Sequence, residues 1–224
     1  MALFKLDDVC CFLGNRNNGK MVLKNVNLSI EDEAVVAVTG PSGAGKSTLL
    51  NVLSGLEKIQ SGTILFDGID IGALSENKRA DLRLKQFGFV FQAFNLIPSL
   101  SVKDNIVLPA AMCRAKIEPE YYRSVLEMLG ISDLTGKLPS QISGGEMQRV
   151  AIARAIINHP KVVFADEPTG NLDSENGTRV FELLLRCAKE FKQTLIFATH
   201  DISKAQLANV HVEVFDGVVK ADEN

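Results

Sequence analysis

The stretch that decides the fold is AVVAVTGPSGAGKSTLL, Ala34 to Leu50. Its first part, AVVAVTG (Ala34 to Gly40), is a continuous apolar run of the kind found in a parallel strand buried on both faces. Its second part, GPSGAGKS (Gly40 to Ser47), has the spacing G-x-x-x-x-G-K-[ST], and a helix is predicted from Lys46 to about Ser54. Strand, glycine loop and helix in this order make a phosphate cradle. The glycines let the backbone curl so that successive N–H groups point inward, and the helix N-terminus adds partial positive charge. Gly40, Pro41, Ser42, Gly43, Ala44, Gly45 and Thr48 would then surround the phosphates of a nucleoside triphosphate. Lys46 would reach the β- and γ-phosphates, and the Ser47 hydroxyl would ligate magnesium.

Working outward, Leu3, Leu6 and Val9 and then Val22, Val26, Leu28 and Ile30 are spaced as in strands, with a polar turn at Gly14 to Lys20 between them. This predicts an antiparallel sheet at the start of the chain. GTILFDG (Gly62 to Gly68) and FGFVFQ (Phe87 to Gln92) predict further strands. From Ser101 to about Asn158 the apolar spacing turns helical. After Pro160 the strands return as KVVFAD (Lys161 to Asp166), TLIFATH (Thr194 to His200) and VHVEVFDG (Val210 to Gly217), with a helix around Thr178 to Lys189. The expected fold is α/β: a P-loop NTPase core with an N-terminal antiparallel β subdomain and an inserted α-helical subdomain. The core takes 1–92 and 159–224, and the helical insert takes 93–158.

Composition narrows the function classes. Of 224 residues, 46% are apolar and 23% charged, and the net charge is −3, so no basic field draws nucleic acid. No apolar run reaches the roughly 18 to 20 residues of a membrane helix. The N-terminus, MALFKLDD, has acids where a signal peptide carries its apolar stretch. A cytosolic chain is expected, touching a membrane only through a partner. Cys10, Cys11, Cys113 and Cys187 form no C-x-x-C pair and are expected to be reduced. His159 and His211 read as structural.

KVVFADEPTG (Lys161 to Gly170) is an apolar strand ending in two acids. Asp166 is placed to hold magnesium. Glu167, one residue on and so on the other side of a strand, is placed to orient and deprotonate an attacking water.

These motifs and those that follow resemble the ATP-binding-cassette ATPases over essentially the whole chain. QISGGEMQRVAIARA (Gln141 to Ala155) is similar to the family's signature, GNLD (Gly170 to Asp173) to its D-loop, ATHD (Ala198 to Asp201) to its switch-histidine segment and FVFQ (Phe89 to Gln92) to its Q-loop. All come in the family's order. The signature departs from the commonest form at Ile142 and Glu146, and EDEA (Glu31 to Ala34) stands where the family usually has Gly-Glu.

The resemblance implies a dimer, either of two copies or pseudo-symmetric, with two ATP molecules sandwiched between subunits. Ser143 and the N–H groups of Gly144 and Gly145 would hold the γ-phosphate bound by the partner. Gln92 would sense magnesium and the attacking water, and His200 would contact the γ-phosphate and steady Glu167. Asp173 would act across the dimer interface, and Phe12 falls where the family stacks an aromatic on adenine. The apolar stretch Phe87 to Pro109 lies where transporters meet a short helix of an integral membrane permease, which implies a place on the cytoplasmic face of the inner membrane. That stretch and FADEPTGNLD (Phe164 to Asp173) resemble the lipoprotein-releasing (LolD-like), macrolide-exporting (MacB-like) and cell-division (FtsE-like) ATPases. Soluble cassette ATPases are the alternative.

Overall fold

A computed structural model describes residues 2–14 and 19–223. Most of the polar turn expected between Gly14 and Lys20 lies outside the described residues. In chain order the elements are β1 (Ala2–Leu13), β2 (Lys20–Glu31), β3 (Val35–Thr39), α1 (Lys46–Leu53), β4 (Ser61–Phe66), β5 (Ile69–Asp70), α2 (Glu76–Gln86), β6 (Phe87–Phe91), α3 (Val102–Cys113), α4 (Pro119–Leu129), α5 (Gly144–Ile156), β7 (Val162–Asp166), α6 (Ser174–Glu190), β8 (Thr194–Ala198), α7 (Ile202–Ala205), β9 (Val210–Phe215) and β10 (Val218–Glu223). The chain folds as two compact units, Met1–Arg83 with Thr194–Asn224, and Leu84–Gln193.

The first unit contains an antiparallel sheet in the order β2-β1-β4-β5. Phe4, Leu6, Val9, Leu23, Val26, Leu28 and Ile30 are buried on it. In the same unit β3 runs parallel to both β8 and β9, and β10 closes antiparallel on β9. Val36, Ala37 and Val38 are all buried. Consecutive burial, rather than alternation, is what a strand covered on both faces requires, and α1 packs on neighbouring β8 through its apolar side. Ahead of β3 the EDEA segment still makes its turn. Glu33 takes the left-handed conformation at φ 58°, and Asp32 Oδ1 accepts its N–H at 3.1 Å. The Thr194 hydroxyl donates to the same oxygen at 3.4 Å, tying the turn to β8.

In the second unit β6 and β7 pair in parallel, and α5 lies on β6 with α3, α4 and α6 against it. Gly88 allows that approach, because a Cβ there would fall 2.2 Å from the Ala155 carbonyl oxygen. Val150, Ala151, Ile152, Ala153 and Ile156 are all buried, so α5 is the core helix of this unit. Helix α6 starts at Ser174, ahead of the expected Thr178, because the Asp173 carboxylate caps it. Helix α2 and strand β10 were not expected from the pattern. In α2 the apolar positions are few, and Glu76 is gripped instead by Arg79 and Arg83.

The apolar stretch Phe87 to Pro109 divides. Phe87, Val90, Val102 and Ile106 are core, while Ile97 is 38% exposed. The connecting loop is held by Asn105, which is fully buried. Its amide donates to the carbonyls of Ile97, Leu100 and Ser101 at 3.0–3.1 Å and accepts the Ile97 N–H at 2.7 Å. All four cysteines are free thiols, and burial pushes Cys187 up to about 12 and Cys11 to about 11. Among the described residues no helix is long and apolar enough to cross a membrane.

Candidate functional site

The phosphate loop belongs to the first unit. Gly40 stands at φ 140°, and a Cβ there would lie 2.1 Å from the Val214 carbonyl oxygen, so only glycine lets the loop leave β3 beside β9. Gly45, at φ 114°, caps α1. That helix has no side-chain cap and no acid in its first turn, which leaves the positive end of its dipole uncompensated by the chain. Lys46 Nζ donates to the carbonyls of Gly40 at 2.9 Å and Pro41 at 3.1 Å. Pro41, Ser42, Gly43 and Ser47 are exposed, Thr48 is half-buried and Ala44 is buried.

Two further expected residues lie in this unit. Phe12 is half-buried at the end of β1, opposite Met21 of β2. The next residue of that strand, Val22, approaches the loop at Gly45. His200 follows β8 and is exposed. Its backbone is fixed on both sides: the Thr199 N–H donates to the Val38 carbonyl at 3.1 Å, and the Asp201 N–H donates to the Thr199 hydroxyl at 3.1 Å. Asp201 caps α7 and pairs with Lys204 at 2.8 Å, and hydrogen bonds from the Lys204 and Ser203 side chains hold its carboxyl far below the usual carboxylate range.

The remaining candidates lie in the second unit. Asp166 ends β7, and its Oδ1 is buried with no hydrogen-bond partner. Glu167 is not part of the strand. It stands at φ 46°, in the left-handed region, so a turn and not strand alternation sets its direction. Strand alternation, expected from the sequence, therefore does not place its carboxylate. Left-handed backbone at a non-glycine residue costs energy and recurs at functional positions.

Ser143 caps α5, but with an arrangement the sequence reading did not anticipate. Glu146 Oε2 accepts both the Ser143 N–H and the Ser143 hydroxyl at 2.7 Å, while the Glu146 N–H donates back to Ser143 Oγ at 3.3 Å. These bonds, the backbone one foremost, hold the Glu146 carboxyl below its ordinary range. The departure at Glu146 therefore falls directly on the serine of the signature. The N–H groups of Gly144 and Gly145 open the helix behind it. Asp173 is exposed, and both its carboxylate oxygens are engaged by Asn176, through the N–H at 2.9 Å and the side-chain amide at 2.7 Å.

Gln92, exposed at the end of β6, donates its amide to Asn171 Oδ1 at 3.1 Å, and the Asn171 amide returns to the Gln92 carbonyl at 3.0 Å. Beyond it, Phe94 and Asn95 are both left-handed, and the Arg154 guanidinium binds their carbonyls at 2.8 and 2.6 Å. Sequence reasoning missed Asn171, Gln148 and Arg154. Their positions inside the signature and GNLD segments were the available signal.

The buried, unpartnered Oδ1 of Asp166 is the kind of hard oxygen donor that a magnesium ion takes. The described residues contain no cluster of three His, Cys, Asp or Glu side chains. Magnesium held by one or two carboxylates and substrate phosphates requires no such cluster.

Comparison with known proteins gives this geometry a context. The profile of the ABC transporter family matches residues 23–170. The chain is 40% identical over 224 residues to the macrolide export ATP-binding/permease protein MacB of Neisseria meningitidis, covering 99% of this chain but 35% of MacB, so it spans about a third of that relative's length. It is 40% identical over 201 residues to the lipoprotein-releasing system ATP-binding protein LolD of Blochmanniella floridana, covering 89% of this chain and 86% of LolD. Its structure matches the dimeric bacterial ABC transporter cassette MJ0796 with a TM-score of 0.87 at 36% identity over 98% of both chains. It matches the post-hydrolysis dimer of that cassette, bound to ADP and Pi, at 0.86. With a family match across most of its length and cassette structures aligned end to end, the chain belongs to the ABC transporter family, as an ATP-binding cassette.

Proposed function

We propose that this chain hydrolyses ATP as a dimer and passes the resulting closure and opening to an integral membrane permease. The observation that carries the reading is Lys46, whose ammonium is held over the phosphate loop by two uncharged carbonyls and so can be transferred to phosphate oxygens. The loop N–H groups and Lys46 bind the β- and γ-phosphates. Ser143, Gly144 and Gly145 of the second copy bind the γ-phosphate from the other side. Phe12 stacks on adenine. Glu167 orients a water and takes its proton as the oxygen attacks the γ-phosphorus, and the bond to the β-phosphate oxygen breaks to leave ADP and phosphate. His200 steadies Glu167 and contacts the γ-phosphate. Ser47, Asp166 and Gln92 would hold magnesium, which would neutralise phosphate charge. Asp173 acts across the interface.

The names of the relatives support lipoprotein release or export as the process served, with a cell-division role of the FtsE-like kind as the alternative. Exposed Ile97, Met112 and Leu138, all in the second unit, offer apolar footing to a membrane subunit at its cytoplasmic face. The test is Glu167→Gln with ATP and magnesium, measured by light scattering after size exclusion. A doubling of mass that depends on ATP is expected, and a monomer at saturating ATP would refute the sandwich.

A further inference from the structure

The signature helix also buries a polar side chain. Gln148 is completely buried on α5, five residues beyond Ser143, or about 7.5 Å along the axis. Its amide nitrogen donates to two backbone carbonyls, Phe91 at 3.3 Å and Pro168 at 2.5 Å. Phe91 immediately precedes Gln92, and Pro168 immediately follows Glu167. One buried amide thus joins the residue before one candidate catalytic group to the residue after the other. The same two segments are joined again three residues on, by the reciprocal pairing of Gln92 with Asn171.

A packing role alone does not account for Gln148. Its Oε1 is buried with no partner, a desolvation cost that an apolar side chain of similar volume would avoid. What the amide supplies, and an apolar residue cannot, is a fixed spacing between two carbonyls. Gln148, Gln92, Asn171 and Glu167 all lie in the unit Leu84–Gln193 and are held together by its own hydrogen bonds.

We propose that Gln148 and Asn171 are positioning residues that lock Gln92 to the Glu167 segment and tie both to the signature helix. Movement of Ser143 at the start of α5 then reaches Gln92 and Glu167 together, and Asn171 decides how readily the Gln92 side chain turns away from the chain. The inference rests on the assignment of Glu167 and Gln92 to hydrolysis.

The experiment uses the full chain with Gln148→Met, which keeps the volume, and Asn171→Ala, at an exposed position. Turnover, KM for ATP, the magnesium concentration at half-maximal rate and Tm are measured, with Glu167→Gln alongside. Misplaced catalytic groups lower kcat by about 10- to 100-fold while KM stays within about twofold. Asn171→Ala should shift the magnesium half-saturation by about threefold or more, at unchanged Tm, a response a merely structural residue would not give. If Glu167→Gln is inactive while Asn171→Ala keeps both kcat and magnesium dependence, the inference is overturned by that variant alone, whatever the stability of Gln148→Met. If Glu167→Gln turns over normally, the assignment beneath it falls and the inference falls with it.

Discussion

Replacing Lys46 by Met separates what the lysine does for the fold from what it does for the nucleotide. In the structure the ammonium spans the Gly40 and Pro41 carbonyls at 2.9 and 3.1 Å, and Lys46 is only half-buried. Water can replace those two bonds, so the nucleotide-free protein should lose less than about 1 kcal/mol. Phosphate oxygens are anionic, and bonds to them are roughly twice as strong as bonds to neutral carbonyls. Losing them should cost about 3 kcal/mol of ATP affinity, or about 100-fold in Kd. At ATP of 100 times the unaltered chain's Kd, binding stabilises that chain by about 2.7 kcal/mol. With an unfolding entropy of about 2.1 cal/mol/K per residue, the 224 residues give about 0.47 kcal/mol/K, so its Tm should rise by about 6 °C. For Lys46→Met the same ATP stands near Kd, the stabilisation falls to about 0.4 kcal/mol and the rise to about 1 °C. Differential scanning fluorimetry with and without ATP reads both numbers. A Lys46→Met chain that keeps the full ATP-dependent rise would refute the role of the lysine. One whose nucleotide-free Tm collapses would show that the two carbonyl bonds hold the loop together.

Two more changes test the packing and the signature. Gly88→Ala places a methyl 2.2 Å from the Ala155 carbonyl oxygen and 2.9 Å from its carbon, both backbone, so β6 and α5 must separate. Destabilisation of about 2–3 kcal/mol is expected in urea unfolding, and a loss under about 0.5 kcal/mol would contradict the close approach. Glu146→Gln removes the charge that Ser143 stabilises. Because the folded carboxyl is held below its unfolded value, its contribution is present above that unfolded value and is lost as pH falls through the folded one. The variant should therefore be less stable by about 0.5 kcal/mol at pH 7, after discount for solvent screening, with the difference shrinking as pH falls. A difference that does not shrink on acidification would mean that charge is not the cause.

How far the sequence carries can be judged residue by residue. The strand-loop-helix from Ala34 to about Ser54 was legible because each part is local. A buried run, a loop of set glycine spacing and a helix start lie within about twenty consecutive residues. The order of the remaining motifs pointed to the family, and the family to the fold. Helix α2 was hidden because an arginine pair on Glu76, and not an apolar stripe, marks its inner side. The stretch Phe87 to Pro109 was read as one feature, yet its apolar residues serve two purposes. Burial of Phe87, Val90, Val102 and Ile106 follows from β6 and α3 joining the core, and composition alone cannot divide them from Ile97.

By itself, then, the sequence determined the phosphate loop, the adjacent acids Asp166 and Glu167 at the close of an apolar strand, and the α/β class, all of which depend on residues near one another along the chain. Only the folded structure decided the direction of Glu167 and the links from Gln148, Asn171 and Arg154 to the end of β6 and the segment that follows it. Asn171 is 79 positions from Gln92, Gln148 is 57 from Phe91 and Arg154 is 59 from Asn95. A hydrogen bond between an amide and a distant backbone carbonyl leaves no period and no spacing in the sequence, because any residue supplies the carbonyl. It exists only once packing has brought the two segments within 3 Å or so of each other.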